Sequence, residues 1–162
     1  MPGTRGAAAC RLWARRRSQS GGADGKLCRD LAADTARLAA LTRWIELGGR
    51  LVIQCDGNAG KELFATGGPL ARFAPGSVAE AVRLPETGPL EHFAGSSTPI
   101  SIAPGDVLRV LRFVDVQGVI EAHAGKKPTD LPLVVRSPFG LGEVAFTAVD
   151  FSQPLVAKWV GR

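Results

Sequence analysis

The chain has few of the residues that bind metal ions or form disulfides. Its 162 residues include three cysteines and two histidines, and Cys10, Cys28 and Cys55 contain no Cys-x-x-Cys pair. A zinc site needs a denser set of ligands, so no metal site and no cofactor are expected. An odd number of cysteines does not support a disulfide framework either, and reduced thiols in the cytoplasm are the expected state.

Long apolar segments are also missing. A membrane-spanning helix needs about 18 or more consecutive apolar residues, and the apolar runs of this sequence are far shorter. Residues 15–17 are three arginines, yet the following "SQSGGADGK" lacks the apolar stretch of a twin-arginine export signal. The chain as given is therefore expected to be soluble and cytoplasmic.

The excess of positive charge is confined to the first residues. The formal net charge is +5, from 20 basic and 15 acidic residues. Five arginines precede the first acidic residue, and without them 15 basic residues balance 15 acidic ones: Arg5, Arg11, Arg15, Arg16 and Arg17. No nucleic-acid-binding motif follows this segment, so nucleic-acid binding is not expected.

Two regions are predicted: a disordered basic segment over residues 1–26 and an α/β domain over residues 27–162. The first region mixes glycine, alanine, serine and arginine without hydrophobic periodicity, which is typical of disorder. Beyond it, Asp34 is a suitable helix N-cap, and apolar side chains follow at helical spacing. The pair Gly48-Gly49 is a typical helix stop. The next residues, "RLVIQC", predict a buried strand of a parallel sheet.

The second half of the chain carries shorter predicted elements. The related stretches "GPLARFA" and "GPLEHFA" predict two short helical turns, each with proline near its start. The run "DVLRVLRFVDVQGVIEAHAG" predicts two strands. Residues 134–136, a turn around Pro138 and Gly140, and "EVAFTAVD" predict an antiparallel β-hairpin. Together these patterns indicate an α/β fold with a C-terminal β-hairpin.

The stretch "LVIQCDGNAGKELF", residues 51–64, is the strongest chemical candidate. A phosphate-binding loop has four residues between its first glycine and its Gly-Lys pair, whereas two residues separate Gly57 from Gly60. A cysteine at a strand-to-helix turn can serve as a nucleophile, and Cys55 occupies such a position. However, Ile53 stands where a nucleophile elbow has glycine. The favoured interpretation is a buried cysteine that acts as a small hydrophobe.

Other polar residues leave two alternative functions open, cysteine-dependent catalysis and ligand binding. In a cysteine-dependent amidohydrolase or amidotransferase-like enzyme, Cys55 would be the nucleophile, His123 the base and Glu121 the group that orients the base. No sequence spacing ties His123 or Glu121 to Cys55. Asp56 and Asp150 each follow an apolar strand, where open α/β sheets place ligand-contacting residues. They are weak ligand-binding candidates, because a turn or helix-cap role is more common for such aspartates.

Two stretches also give the chain a family resemblance. The first, "LAALTRWIELGGRLVI", has a helix ending in Trp-x-x-x-Gly-Gly before a strand. The second, "PLVVRSPFGLGEVAFTAVDFSQPLVAKW", has a Gly-x-Gly-x-Val-x-Phe strand that ends in aspartate before Pro-Leu. Over residues 27–159 the chain resembles the class I glutamine amidotransferase-like domains, flavodoxin-like in fold, of large uncharacterised bacterial membrane proteins, including planctomycete ones.

This resemblance implies a three-layer flavodoxin-like sheet that is incomplete at its N-terminus. Such relatives generally lack a catalytic triad, so it implies a non-catalytic module for interaction or ligand sensing, with an unknown partner. They begin with additional strands and continue into membrane-spanning helices, which suggests that this chain is a fragment of a membrane-associated protein. Without the first strands, an exposed sheet edge is expected, and such an edge promotes self-association.

Overall fold

The described residues form two β-sheets and several short helices. The structure, a computed structural model, describes residues 10–16, 19–23, 30–55, 59–102 and 107–149, together with Phe151, Val156 and Trp159. The strands are β1 (Cys10–Arg16), β2 (Gln19–Ala23), β3 (Arg50–Cys55), β4 (Ser77–Arg83), β5 (Arg109–Val114), β6 (Val119–Ala124), β7 (Leu131–Phe139) and β8 (Gly142–Thr147). The α-helices are α1 (Thr35–Glu46), α2 (Ala59–Phe64) and α3 (Gly88–Phe93), and Ala71–Phe73 forms a 3-10 helix.

The larger sheet is built around β3 and β8. Its strand order is β2-β1-β3-β8-β7-β6, while β4 and β5 form a separate antiparallel pair. Strand β3 runs parallel to β8 and antiparallel to β1. The remaining ladders of the larger sheet, β1–β2, β7–β8 and β6–β7, are antiparallel. The parallel pairing predicted for β3 therefore occurs along one of its two edges.

The amino-terminal segment differs from the sequence-based expectation. Residues 10–16 and 19–23, which fall within the segment expected to be disordered, form β1 and β2. The physical reason is that β3 has backbone N–H and C=O groups along both edges, and buried groups of this kind need hydrogen-bond partners. Strand β1 pairs with β3 from Cys10 to Arg15. The sheet edge expected to be open is thus covered, and the outer strands are β2 and β6.

Helix α1 begins and ends as the sequence predicts. The Asp34 side chain accepts a hydrogen bond from the Arg37 backbone N–H at 3.0 Å, which is a standard N-cap contact. At the other end, Gly48 has a φ of +105°, a conformation that glycine adopts without strain. The Glu46 carbonyl then accepts a hydrogen bond of 2.9 Å from the Leu141 N–H. The end of α1 is therefore fixed to the turn between β7 and β8.

Burial along β3 alternates. Leu51, Ile53 and Cys55 are at most 1% exposed, whereas Val52 and Gln54, which point to the opposite face, are half-buried. This confirms the prediction of a core strand. Val52, which was expected to be buried with its neighbours, is only half-buried. One face of β3 is fully covered, and the other is covered only in part.

Aromatic side chains join the larger sheet to the elements that cover its apolar face. The Phe146 ring on β8 makes edge-on contacts with Phe64 of α2 and Phe113 of β5, at centroid distances of 5.1 and 4.9 Å. Phe146 is also the register partner of Ile53, so both side chains occupy the same face of the sheet. Helix α2 and the β4–β5 pair therefore close the core over the buried side of β3.

The coarse fold prediction is confirmed, since the structure combines helices with β-sheets. The C-terminal hairpin is also confirmed. Strands β7 and β8 are antiparallel, with Val134 opposite Thr147 at one end and Phe139 opposite Gly142 at the turn. The two related stretches form short helical turns, a 3-10 helix and α3. Among the helices in the described part of the chain, none is long and apolar enough to span a membrane.

Replacing Ile53 with aspartate is expected to abolish folding. The side chain is 0% exposed, so Ile53→Asp would bury a carboxylate without a partner, at a cost of several kcal/mol. The matched control is Val119→Asp on edge strand β6, where the valine is 58% exposed. That change should cost about 1 kcal/mol or less. Urea unfolding followed by circular dichroism checks both, and equal stability of the two variants would contradict the assigned interior position of β3.

Candidate functional site

Cys55 lies at the point where a strand leads into a helix. It is the last residue of β3, and α2 begins four positions later at Ala59. Asp56, the first weak ligand candidate, falls in the intervening residues 56–58, which lie outside the described residues. The order of elements around Cys55 is therefore the one that an exposed nucleophile would require.

The surroundings of the Cys55 thiol do not leave it exposed. The residue is 0% exposed and its thiol is free. Gly60, in the first turn of α2, is buried beside it: a methyl group added there would lie 2.9 Å from Cys55 Sγ and would collide with the Leu111 side chain of β5. Gly60 thus lets the helix pack directly over the thiol. The glycine that resembled part of a phosphate loop serves this close packing.

The other two residues of the alternative catalytic set lie far from Cys55. Glu121 and His123 are on β6, which is separated from β3 by β8 and β7. Three strand spacings of about 4.8 Å place the β6 and β3 backbones about 14 Å apart. His123 is opposite Pro132, on the face shared by Val134 and Thr147, whereas Cys55 points to the other face. The structure does not bring the three side chains together.

The contacts of Glu121 and His123 also differ from those of a catalytic pair. Glu121 Oε1 lies 2.7 Å from a terminal guanidinium nitrogen of Arg136 on β7. His123 Nδ1 is inaccessible to solvent and has no hydrogen-bond partner. In a catalytic triad the carboxylate accepts a hydrogen bond from this ring nitrogen and so orients the imidazole. Glu121 instead binds Arg136.

The face of the larger sheet opposite Cys55 carries charged side chains and is open in part, while Val134 and Thr147 on the same face are buried. Two ion pairs lie on it: Arg136 with Glu121, and Arg50 with Glu143 at 3.5 Å. The arginine side chains are 48% and 73% exposed, and the glutamates are 29% and 30% exposed. Half-buried Val52 and Ala145 are register partners between these pairs. This partly open face, which we call the charged face, was not recognised from the sequence, because each ion pair joins different strands.

Ligand-binding chemistry has little support in the described residues. Asp150, the second weak candidate, lies outside them. Within the ranges that the structure describes, no group of three or more histidine, cysteine, aspartate or glutamate residues could hold a metal ion. Arg112 Nε of β5 is buried without a hydrogen-bond partner, like His123 Nδ1. Arg112 uses another guanidinium nitrogen to contact Glu80 at 3.3 Å.

Comparisons with known proteins assign no family to this chain. No protein-family model, curated protein or solved structure matches it. The candidate site must therefore be judged on geometry alone, and two regions remain: the closed environment of Cys55 and the charged face.

A methyl group at position 60 tests whether α2 closes over Cys55. Gly60→Ala should destabilise the protein by about 1–3 kcal/mol, because the added methyl would overpack Leu111 and the thiol. Gly88→Ala is the matched control: Gly88 begins α3, and a methyl group there meets no atom within 4 Å. That variant should be neutral or slightly stabilised. Urea unfolding of both checks this, and an unaffected Gly60→Ala variant would mean that the thiol is not tightly covered.

Proposed function

We propose that the chain is a non-catalytic α/β domain that serves as an interaction or ligand-sensing module. The observation that carries this proposal is the complete burial of Cys55, the residue best placed in the sequence to act as a nucleophile. A nucleophile must reach its substrate, and a general base must lie within about 3 Å of the proton that it removes. Neither condition is met by Cys55 and His123 as they stand.

The neighbourhood of His123 gives independent support. A catalytic imidazole needs a hydrogen-bonded group that fixes its orientation, and Nδ1 of His123 has none. The nearest candidate for that role in sequence, Glu121, is held by Arg136. The cysteine-dependent hydrolase alternative would thus require a rearrangement of β6 as well as the opening of α2.

The charged face is the surface on which an interaction function would act. Its arginines and glutamates are partly exposed and occupy three neighbouring strands and the edge strand β6. Charged groups of both signs on a rigid sheet favour a partner with complementary charges, and they influence specificity and association rate more than affinity. Val52 and Ala145 add a small apolar area between them.

The proposal includes a relationship between this chain and the amidotransferase-like domains. It is supported by the succession of strand β3 and helix α2 along the chain, and by the hairpin β7–β8 that carries the Gly-x-Gly-x-Val-x-Phe motif. Under this kinship, a flavodoxin-like three-layer arrangement and a location beside a membrane would apply to longer relatives. Loss of the catalytic triad in those relatives would agree with a buried Cys55 that lies far from His123 and Glu121.

The reactivity of Cys55 tests the non-catalytic assignment. In a Cys10→Ser/Cys28→Ser variant, only Cys55 can react with a thiol reagent such as 5,5′-dithiobis(2-nitrobenzoate). At neutral pH we expect the native protein to react at least about 100-fold more slowly than the urea-unfolded chain, because reaction requires the structure to open. The same variant with Val119→Cys provides an exposed thiol that should react in both states.

An activated nucleophile gives the opposite result. A lowered pKa and an accessible sulfur would make the native thiol react faster than the unfolded one. That outcome would overturn the non-catalytic assignment and favour a cysteine-dependent enzyme.

A further inference from the structure

Two of the three cysteines occupy directly opposed positions in neighbouring strands. The β1–β3 ladder pairs Cys10, the first residue of β1, with Cys55, the last residue of β3. The pairing continues without a register shift along the ladder. Leu12 is opposite Ile53, Ala14 is opposite Leu51, and Arg15 is opposite Arg50. The opposition of the two cysteines is therefore set by the whole ladder.

The geometry of opposed antiparallel residues suits a disulfide. In such pairs the Cα atoms are about 4.5–5.5 Å apart, and disulfides form when this distance is about 4.4–6.8 Å. We propose that Cys10 and Cys55 form an intramolecular disulfide under oxidising conditions, and that this bond attaches the amino-terminal hairpin β1–β2 to the sheet. The proposal concerns a site of covalent modification and does not depend on the proposed function.

The hairpin is the part of the sheet that such a bond would affect most. Strand β1 pairs only with β2 and β3, and β2 is an outer strand. If β1 separates from β3, the edge of β3 loses its hydrogen-bond partners. A covalent bond from residue 10 to residue 55 would prevent that separation and would reduce the conformational entropy of the unfolded chain.

Glutathione disulfide can supply the oxidising equivalents. The thiolate of one cysteine attacks glutathione disulfide, forms a mixed disulfide and releases one glutathione thiolate. The thiolate of the second cysteine then attacks the protein sulfur of the mixed disulfide and releases the second glutathione. Two protein thiols are oxidised, one glutathione disulfide is reduced to two glutathione molecules, and the two thiol protons end on glutathione. Since Cys55 is 0% exposed, the exchange takes place during folding or after β1 has opened.

The test is to refold the full chain from urea in a buffer that contains reduced glutathione, with or without glutathione disulfide. The refolded protein is then alkylated and digested with trypsin. The cleavage sites place the three cysteines in different peptides: residues 6–11, 27–29 and 51–61. We expect a disulfide-linked peptide containing residues 6–11 and 51–61, while Cys28 in residues 27–29 is alkylated. A bridge that involves Cys28, bridges only between chains, or no bridge would each overturn the proposal.

Variants separate the paired cysteines from the third. Cys28→Ser should keep the bridge, and Cys10→Ser should lose it. Oxidised Cys28→Ser is expected to melt about 5–10 °C higher than its reduced form, because the bond closes a long loop without distorting the ladder. The Cys10→Ser protein should melt at the same temperature with and without oxidant. A lower melting temperature for the oxidised Cys28→Ser protein would show that the bond distorts the β1–β3 ladder, and it would overturn the proposal that the bond attaches the hairpin to the sheet.

Discussion

Pairing of β3 along both edges is the constraint on which the rest of the structure depends. Strand β8 binds one edge in parallel, and β1 binds the other in antiparallel orientation. A buried strand with one unpaired edge would leave backbone N–H and C=O groups without partners, which costs free energy for each group. Because both edges are paired, Leu51, Ile53 and Cys55 can lie in the core, and Phe146, Phe64 and Phe113 can pack around them.

The same constraint determines what chemistry is open to the chain. An interior strand that ends beneath a helix leaves its last side chain buried, and the absence of a side chain at Gly60 lets α2 approach Cys55 and Leu111 closely. The alternation of the sheet then directs Glu121, His123 and Arg136 to the opposite face. The residues that could form a nucleophilic site are thus divided between two faces of one sheet, and the face that stays partly open carries ion pairs.

Local patterns in the sequence predicted the elements whose signals are local. Asp34 and Gly48 set the limits of α1, and the apolar run before Cys55 identified β3, because caps and hydrophobic periodicity depend on near neighbours. Pairings between distant segments left no such signal. The arginine-rich residues around Trp13 have the composition of a disordered segment, yet their backbone pairs with β3. The role of Gly60 depends on Leu111, and that of Glu121 depends on Arg136, so both required the register of the strands.

Amide hydrogen exchange along β3, measured residue by residue with NMR, tests the central claim most directly. In an interior strand, the amides that donate to β1 and those that donate to β8 are all protected. The structure predicts that both groups of amides between Leu51 and Cys55 exchange only through opening close to global unfolding. If the amides that face β1 exchanged as fast as those of an unpaired edge while those that face β8 stayed protected, β1 would not be bound to β3. The account of the sheet, and of Cys10 opposite Cys55, would then be wrong.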